Sequence, residues 1–135
     1  MSKAPHIADA EWKVMQAVWQ RCVPPRAGRP APEDCITASE IVDMTAVANH
    51  WSPRTVKTLI NRLAKRGVLG HRQEGNRYLY YPRAGREQCV RDATRSFIHR
   101  VFEGATLPML VHFVKHEKLS DADVAELRKL LDDKK

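Results

Sequence analysis

The chain has 135 residues, 43% of them hydrophobic and 29% charged. This balance excludes a disordered chain and suits one folded domain, or a small domain with an oligomerisation segment. The formal net charge is +7, and the whole excess lies between Trp51 and Arg83, where eight basic residues accompany one acid, Glu74. So concentrated a positive charge is typical of a contact with nucleic acid or an anionic membrane surface.

No apolar run at the N-terminus resembles a signal peptide. The longest stretch without Asp, Glu, Lys or Arg, Gly104 to Val114, is too short to cross a bilayer. We therefore expect a cytoplasmic protein with no membrane insertion.

Apolar residues recur at near-helical intervals from Ala8 to Arg21, which predicts a first helix over that range. Residues 23–36 then contain four prolines and a glycine, so we expect a proline-rich insertion without regular structure. T-A-S-E, from Thr37 to Glu40, has the form of a capping box and opens a short second helix. The inward positions expected in that helix are Ile41, Val42 and Val47.

The third helix has clear boundary signals. Ser52 suits the N-cap and Pro53 the first turn, where the missing N–H is harmless. The helix is predicted from Pro53 to about Arg66, with Gly67 as its stop. Beyond Gly67, V-L-G-H-R-Q and R-Y-L-Y-Y-P flank E-G-N, which predicts a β-hairpin that ends at Pro82. Three helices followed by a hairpin are the order of a winged helix-turn-helix domain.

The C-terminal part predicts three more helices, at Arg86–Phe102, at about Leu107–His116 and after the cap Ser120. They have too little surface to bury a core against a small winged domain alone, so we expect a homodimer in which they pack against a second copy. The fold class is mainly α with a small β-hairpin, with a winged helix-turn-helix DNA-binding domain at 1–83 and an α-helical dimerisation domain at 84–135. The expected dimerisation residues are Phe97, Val101, Leu107, Leu110, Val111, Val114, Val124, Leu127 and Leu131.

The third helix has two different faces. Its inward stripe at i, i+3, i+4 and i+7 is Val56, Leu59, Ile60 and Leu63. Its outward side chains are Arg54, Thr55, Lys57, Thr58, Asn61, Arg62 and Lys65, with no carboxylate among them. A face that only needs solubility usually mixes both signs, because i, i+4 ion pairs stabilise the helix. The residue types instead suit contacts with DNA base edges and phosphates, although a solvated face is the alternative.

Arg72 and Arg77 flank the predicted hairpin turn, where a wing tip would contact the DNA backbone or minor groove. The expected packing residues of the hairpin are Tyr78, Leu79, Tyr80 and Tyr81, with a contact from one tyrosine hydroxyl to phosphate as the alternative. Stacking on single-stranded bases is disfavoured, because their neighbours are aliphatic.

Other chemistry is weakly indicated. His112 and His116 are one helical turn apart, the spacing of a zinc pair, but Phe113 stands where a metalloprotease has its glutamate and no third ligand follows. Cys22 and Cys35 bracket the insertion without a C-x-x-C motif, so free thiols are expected and a metal or redox staple is the minor alternative. We expect no metal, no cofactor and no enzymatic activity.

Several segments together resemble the penicillinase repressor family (BlaI/MecI/CopY type). They are A-E-W-K-V-M, T-A-S-E-I-V, W-S-P-R-T-V-K-T-L-I-N-R-L-A-K-R-G, Y-L-Y-Y-P and L-S-D-A-D-V-A-E-L-R-K-L-L, collinear from about Ile7 to Asp132. The resemblance implies a homodimeric winged-helix repressor that binds a palindromic operator in double-stranded DNA and blocks transcription. It implies DNA contacts by Ser52, Pro53, Arg54, Thr55, Lys57, Thr58 and Arg62, with Arg72 and Arg77 in the wing.

The resemblance also implies a route of relief in the penicillinase branch, in which a membrane sensor protease leads to cleavage at an Asn-Phe bond. The aligned bond is His112-Phe113, so the asparagine is absent. The copper-responsive branch has a C-terminal cysteine cluster, which is missing after Cys89. The alternatives are a metal-responsive regulator that uses His or Cys ligands, and a basic module that binds an acidic protein.

Overall fold

A computed structural model of the chain describes residues 6–25, 28 and 30–134. The chain divides into two compact units, Met1–Ala93 and Thr94–Lys135, and the boundary between them falls inside the fourth helix. No helix within the described residues is long and apolar enough to cross a membrane. The elements are α1 (Asp9–Arg21), a 3-10 turn (Pro32–Asp34), β1 (Ile36–Thr37), α2 (Ala38–Asn49), α3 (Pro53–Lys65), β2 (Leu69–Glu74), β3 (Arg77–Pro82), α4 (Arg86–Phe102), α5 (Thr106–His116) and α6 (Asp121–Asp133).

The first unit has one hydrophobic core, formed where α1, α2 and α3 pack together and against the sheet. Met15 of α1, Ile41 of α2, Ile60 of α3 and Ile36 of β1 are each at most 1% exposed. The three helices and all three strands therefore each contribute a side chain to the same core, as expected of a winged-helix domain.

The sheet is antiparallel in the order β1-β3-β2. Glu74 pairs with Arg77, which leaves Gly75 and Asn76 as a two-residue turn, and Gly75 has φ +62°. Tight hairpin turns require such positive φ values. The predicted hairpin and its end at Pro82 are thus confirmed.

The prediction that residues 23–36 lack regular structure is wrong at their C-terminal end. Pro32–Asp34 forms a 3-10 turn, and Ile36 begins β1, where it pairs with Tyr80 of β3. A strand of two residues has no periodicity to detect, and it forms here because the edge of β3 offers backbone partners. The sheet therefore has a third strand that the sequence did not predict.

In α2, Ile41 and Thr45 are the buried residues, whereas Val47, predicted to face inward, is 86% exposed. Thr45 can be buried because its hydroxyl donates to the Ile41 carbonyl at 2.7 Å. The predicted capping box is present: the Glu40 amide donates to Thr37 Oγ1 at 3.1 Å, and the Thr37 amide donates to Glu40 Oε1 at 3.1 Å. The hydrogen bond from the Thr37 backbone is the main cause that lowers the pKa of Glu40.

The second unit contains the end of α4 together with α5 and α6. Ile98 and Met109 are its buried aliphatic side chains among the described residues, and α6 buries none. The rings of Phe97 and Phe102 meet edge to face, with centroids 5.9 Å apart. Ser120 caps α6 as predicted, because its Oγ accepts the Asp123 amide at 3.0 Å.

Candidate nucleic-acid interface

The two faces predicted for α3 are present in the structure. Val56, Leu59, Ile60 and Leu63 are between 0% and 6% exposed, so the inward stripe is confirmed as core. The opposite side of the helix and its N-cap are exposed to solvent at Ser52, Pro53, Arg54, Thr55, Lys57, Thr58, Asn61, Arg62 and Lys65. We call these nine residues the α3 outer face. Burial of the stripe fixes the helix rotation and leaves the outer face free to contact a ligand.

Hydroxyl groups organise the first turns of α3. Ser52 Oγ accepts the Thr55 amide at 3.2 Å and lies 3.1 Å from Thr55 Oγ1, while Thr58 Oγ1 donates to the Arg54 carbonyl at 3.0 Å. The first turn contains no acidic residue. The partial positive charge of the helix N-terminus is therefore not compensated by a carboxylate of that turn, and this favours an anion such as a phosphate.

The basic residues of the outer face have no acidic partner among the residues that the structure describes. The ion pairs formed within that part of the chain are Arg21–Glu40, Arg66–Glu11 and Arg72–Glu74. The cations of Arg54, Lys57, Arg62 and Lys65 thus lie outside every described pair. Their charges add up over one short surface, which attracts a polyanion at a distance.

Arg66, at the end of α3, is held differently. Its Nη1 pairs with Oε1 of Glu11, which is 1% exposed, and also donates to the His6 carbonyl at 3.4 Å. Glu11 in turn accepts the Ala8 amide at 2.9 Å. This pair ties the C-terminal end of α3 to the start of α1. Nothing in the amphipathic pattern of α1 indicates a buried acid at position 11, so the sequence offered no signal for it.

The two predicted wing arginines lie in different surroundings. Arg77 is exposed beside the turn, directly across from Glu74. The Arg72 side chain is 24% exposed, and its guanidinium donates to the Pro30 carbonyl at 2.8 Å and to Glu74 Oε2 at 3.1 Å. Arg77 is therefore free to reach a ligand, whereas Arg72 is occupied by protein atoms.

The wing tyrosines also differ from one another. Tyr80 is 8% exposed, as predicted for a packing residue, and burial raises the pKa of its hydroxyl. Tyr78, predicted to pack, is 50% exposed, and its ring meets that of the exposed His71 edge to face at 5.2 Å. Tyr78 follows Arg77 at the turn end of β3, whereas Tyr80 lies two residues further from the turn. Alternation along β3 places Tyr78 and Tyr80 on the same face of the sheet, so it could not have distinguished the exposed ring from the buried one.

The histidine and cysteine candidates do not assemble a larger site. The rings of His112 and His116 are 4.5 Å apart, and no group of three or more metal-binding side chains occurs among the described residues. Cys22, Cys35 and Cys89 are free thiols. Burial is the main cause that raises the pKa of Cys22 to about 11, which disfavours the reactive thiolate at neutral pH.

The second unit exposes many large apolar side chains to solvent. Phe97 and Val124, two of the predicted dimerisation residues, are half-buried. The other seven are between 39% and 70% exposed: Val101, Leu107, Leu110, Val111, Val114, Leu127 and Leu131. We call these seven residues the apolar face.

Comparison with known proteins identifies the family. The family model described as Penicillinase repressor matches residues 7–133. The penicillinase repressor of Bacillus licheniformis is 29% identical over 135 residues, covering 100% of this chain and 96% of that protein. The methicillin resistance regulatory protein MecI of Staphylococcus aureus (strain N315) is 28% identical over 133 residues, or 98% of each chain.

A solved structure agrees with this assignment. The solution structure of the DNA-binding domain of the repressor BlaI is similar with a TM-score of 0.50 and 31% identity, over 65% of this chain and 93% of that one. The match joins the winged-helix fold seen above to a protein of the same sequence family. The chain therefore belongs to the penicillinase repressor family and is a DNA-binding transcriptional repressor, not an enzyme.

Proposed function

We propose that the protein represses transcription in the cytoplasm as a homodimer on a palindromic operator. Each protomer would place α3 in the major groove, and the two-fold axis of the dimer would set the spacing of the half-sites. Residues 1–83 would bind the DNA and residues 84–135 would form the dimer. Occupancy of the promoter then excludes RNA polymerase.

The α3 outer face is the observation that carries this proposal, because it is exposed, basic and free of acids. Within it, Arg54, Thr55 and Thr58 would discriminate bases near the start of the helix, where recognition helices approach base edges. Lys57, Arg62 and Lys65 would neutralise phosphates, and Asn61 offers an amide suited to adenine. In the wing, Arg77 would contact the backbone or minor groove.

Dimerisation is supported by the apolar face. Leu107 at 70%, Leu131 at 61% and Val114 at 59% exposure are large aliphatic side chains left in water by the single chain. The four members on α5, Leu107, Leu110, Val111 and Val114, recur at i, i+3, i+4 and i+7 and so share one side of that helix. An exposed apolar stripe of this kind is typical of protein interfaces. A second copy of the same surface would bury it, and a dimer gains operator affinity because its two halves bind together.

Relief of repression would follow a signal, with cleavage at the His112–Phe113 bond by a membrane sensor protease as the proposed route. Both residues are exposed, and the bond lies inside α5. Proteases bind extended substrates, so this turn of α5 would have to unwind before cleavage. Cleavage there would cut the apolar face in two and weaken the dimer.

A gel shift with the DNA upstream of the protein's own gene tests the proposal, with shuffled DNA of the same composition as the control. Repression by an operator-binding dimer requires preference for the native DNA and a steep loss of affinity between two salt concentrations. Equal affinity for both DNAs would instead favour a basic module with another partner. Metal analysis of the purified protein, followed by a gel shift with and without chelator, tests the metal-responsive alternative.

A further inference from the structure

Arg72, one of the two wing arginines that the sequence predicted to contact DNA, is engaged by the protein itself. Arg72 Nη1 donates to the Pro30 carbonyl and Nη2 to Glu74 Oε2, at 2.8 Å and 3.1 Å. Its Nε is buried and has no partner among the described residues. Of its five N–H donors, two are bonded and the one on Nε is withdrawn from solvent, which leaves two, on a side chain that is 24% exposed, to offer DNA.

The position of Arg72 in the sheet shows which part of the protein its hydrogen bonds fix in place. Arg72 pairs with Leu79, so both side chains stand on one face, while the next residue, Tyr80, belongs to the main core. Leu79 is 3% exposed but lies outside that core cluster. The face of the sheet that points away from the main core is therefore also covered by protein. On that face the buried Pro30 accepts a hydrogen bond from Arg72.

We call residues 30–37 the strap. It begins at Pro30 on Arg72, continues through the 3-10 turn, and ends in β1, where Ile36 pairs with Tyr80. The turn is closed by the Asp34 amide, which donates to the Ala31 carbonyl at 2.9 Å, and by the Cys35 amide, which donates to the Pro32 carbonyl at 3.1 Å. The strap is thus fixed to β3 at one end and to β2 at the other.

We propose that Arg72 is a positioning residue, which anchors the strap across the outer face of the wing sheet and so orients the hairpin on DNA without contacting phosphate. A two-stranded hairpin alone is marginally stable in water, so a third strand and a cover stiffen it. Proline suits the anchor, because its carbonyl still accepts hydrogen bonds and its ring restricts the unfolded chain. Arginine suits position 72, because its planar guanidinium can donate hydrogen bonds to the Pro30 carbonyl and to the Glu74 carboxylate at the same time.

Amide hydrogen exchange of the full chain without DNA tests the anchor directly. In Arg72→Ala and in Arg72→Lys, the amides of Asp34 and Cys35 should exchange about tenfold faster than in the wild type, because the strap opens when its charged hydrogen bond is lost. Arg77→Ala, a matched change on the next strand, should leave them unchanged. Arg72→Lys keeps the charge and guards against a variant that fails to fold. Unchanged exchange in both Arg72 variants would overturn the anchor.

The DNA half of the inference rests on the wing contact proposed above and is measured as affinity for the upstream DNA against salt. Loss of a phosphate contact, expected for Arg77→Ala, reduces the slope of the logarithmic plot by about one. Arg72→Ala and Arg72→Lys should both weaken binding at every salt concentration, and both should keep the wild-type slope. A slope reduced in Arg72→Ala and restored in Arg72→Lys would identify a phosphate ligand, and unchanged affinity despite faster exchange would remove the positioning role. If Arg77→Ala changed neither the affinity nor the slope, the proposed DNA contact of the wing would be wrong. The anchoring role of Arg72 would still be tested independently by the hydrogen-exchange experiment.

Discussion

The winged-helix unit and the C-terminal unit expose chemically different surfaces to water. In the first, α3 buries its aliphatic stripe completely and exposes a basic polar face. In the second, α5 and α6 leave large aliphatic side chains exposed, among them Leu107 at 70% and Leu131 at 61%. Burial of apolar surface is the main favourable term in folding. The first unit therefore completes its core from its own residues, whereas the second has apolar surface that association can still bury.

The polar surfaces differ as well. On α3, the cations of the outer face lie outside every described ion pair, while Arg66 at its end is tied to the buried Glu11. Exposed charges cost little when solvated, but a buried carboxylate must be paired. The first unit thus separates cations that hold the fold from cations that remain available to a ligand.

The largest effect expected is on the apolar face. Val114→Asp should convert the proposed dimer to a monomer at micromolar concentration and weaken operator affinity roughly 10²–10⁴-fold, because the two half-sites would then be bound independently. Sedimentation velocity and gel shift measure both quantities. Val23→Asp is the matched control, since Val23 is also exposed, at 75%, but lies in the first unit. A dimeric Val114→Asp with full affinity would contradict the role given to the apolar face.

The completeness of the first core is tested on adjacent residues of α3. Ile60 is 1% exposed, so Ile60→Ala should lower the unfolding free energy of the protein by about 2–5 kcal/mol, because the change leaves a cavity. Its exposed neighbour Asn61 should change by less than about 0.5 kcal/mol as alanine. Urea unfolding of both variants measures the difference. Similar losses at the two positions would show that the inward and outward faces are wrongly assigned.

The outer face should itself divide into specific and non-specific contacts. Arg54→Ala should cost about 1–3 kcal/mol on the native operator and much less on shuffled DNA, as expected for loss of a bidentate base contact. Lys65→Ala should weaken both DNAs alike and lower the salt slope by about one, because it loses a phosphate contact. Competition gel shifts at several salt concentrations separate the two. Equal losses on both DNAs for Arg54→Ala would reject its base contact.

The smallest effect concerns the cap that starts α2. Thr37→Ala should cost about 1 kcal/mol of unfolding free energy. The pKa of Glu40 is lowered in the folded protein, so its stabilisation is present above its ordinary pKa and is lost as pH falls through the folded value. The advantage of the wild type over Glu40→Gln should therefore shrink on acidification below the usual glutamate range. Thermal unfolding at neutral and acidic pH checks this, and an advantage that grows in acid would contradict the sign.

Much of the fold could be predicted because its signals are local. The capping box at Thr37, the cap at Ser52 and the turn at Gly75 each depend on a few adjacent residues. The α3 stripe was equally accessible, since a helix with four aliphatics at i, i+3, i+4 and i+7 can bury only one side. The residues of the outer face followed from it by exclusion, although their contacts with DNA stay a prediction.

The local order of residues by itself determined where most helices and the hairpin begin and end, which side of α3 is buried, and where the positive charge concentrates. Only the tertiary structure decided that Ile36 becomes a strand, that Val47 faces water, and which arginines remain free. Arg66 meets Glu11 across 55 positions of sequence, and Arg72 meets Pro30 across 42. Such pairs carry no periodic signal, because they depend on how separate elements pack and not on the pattern within any one of them.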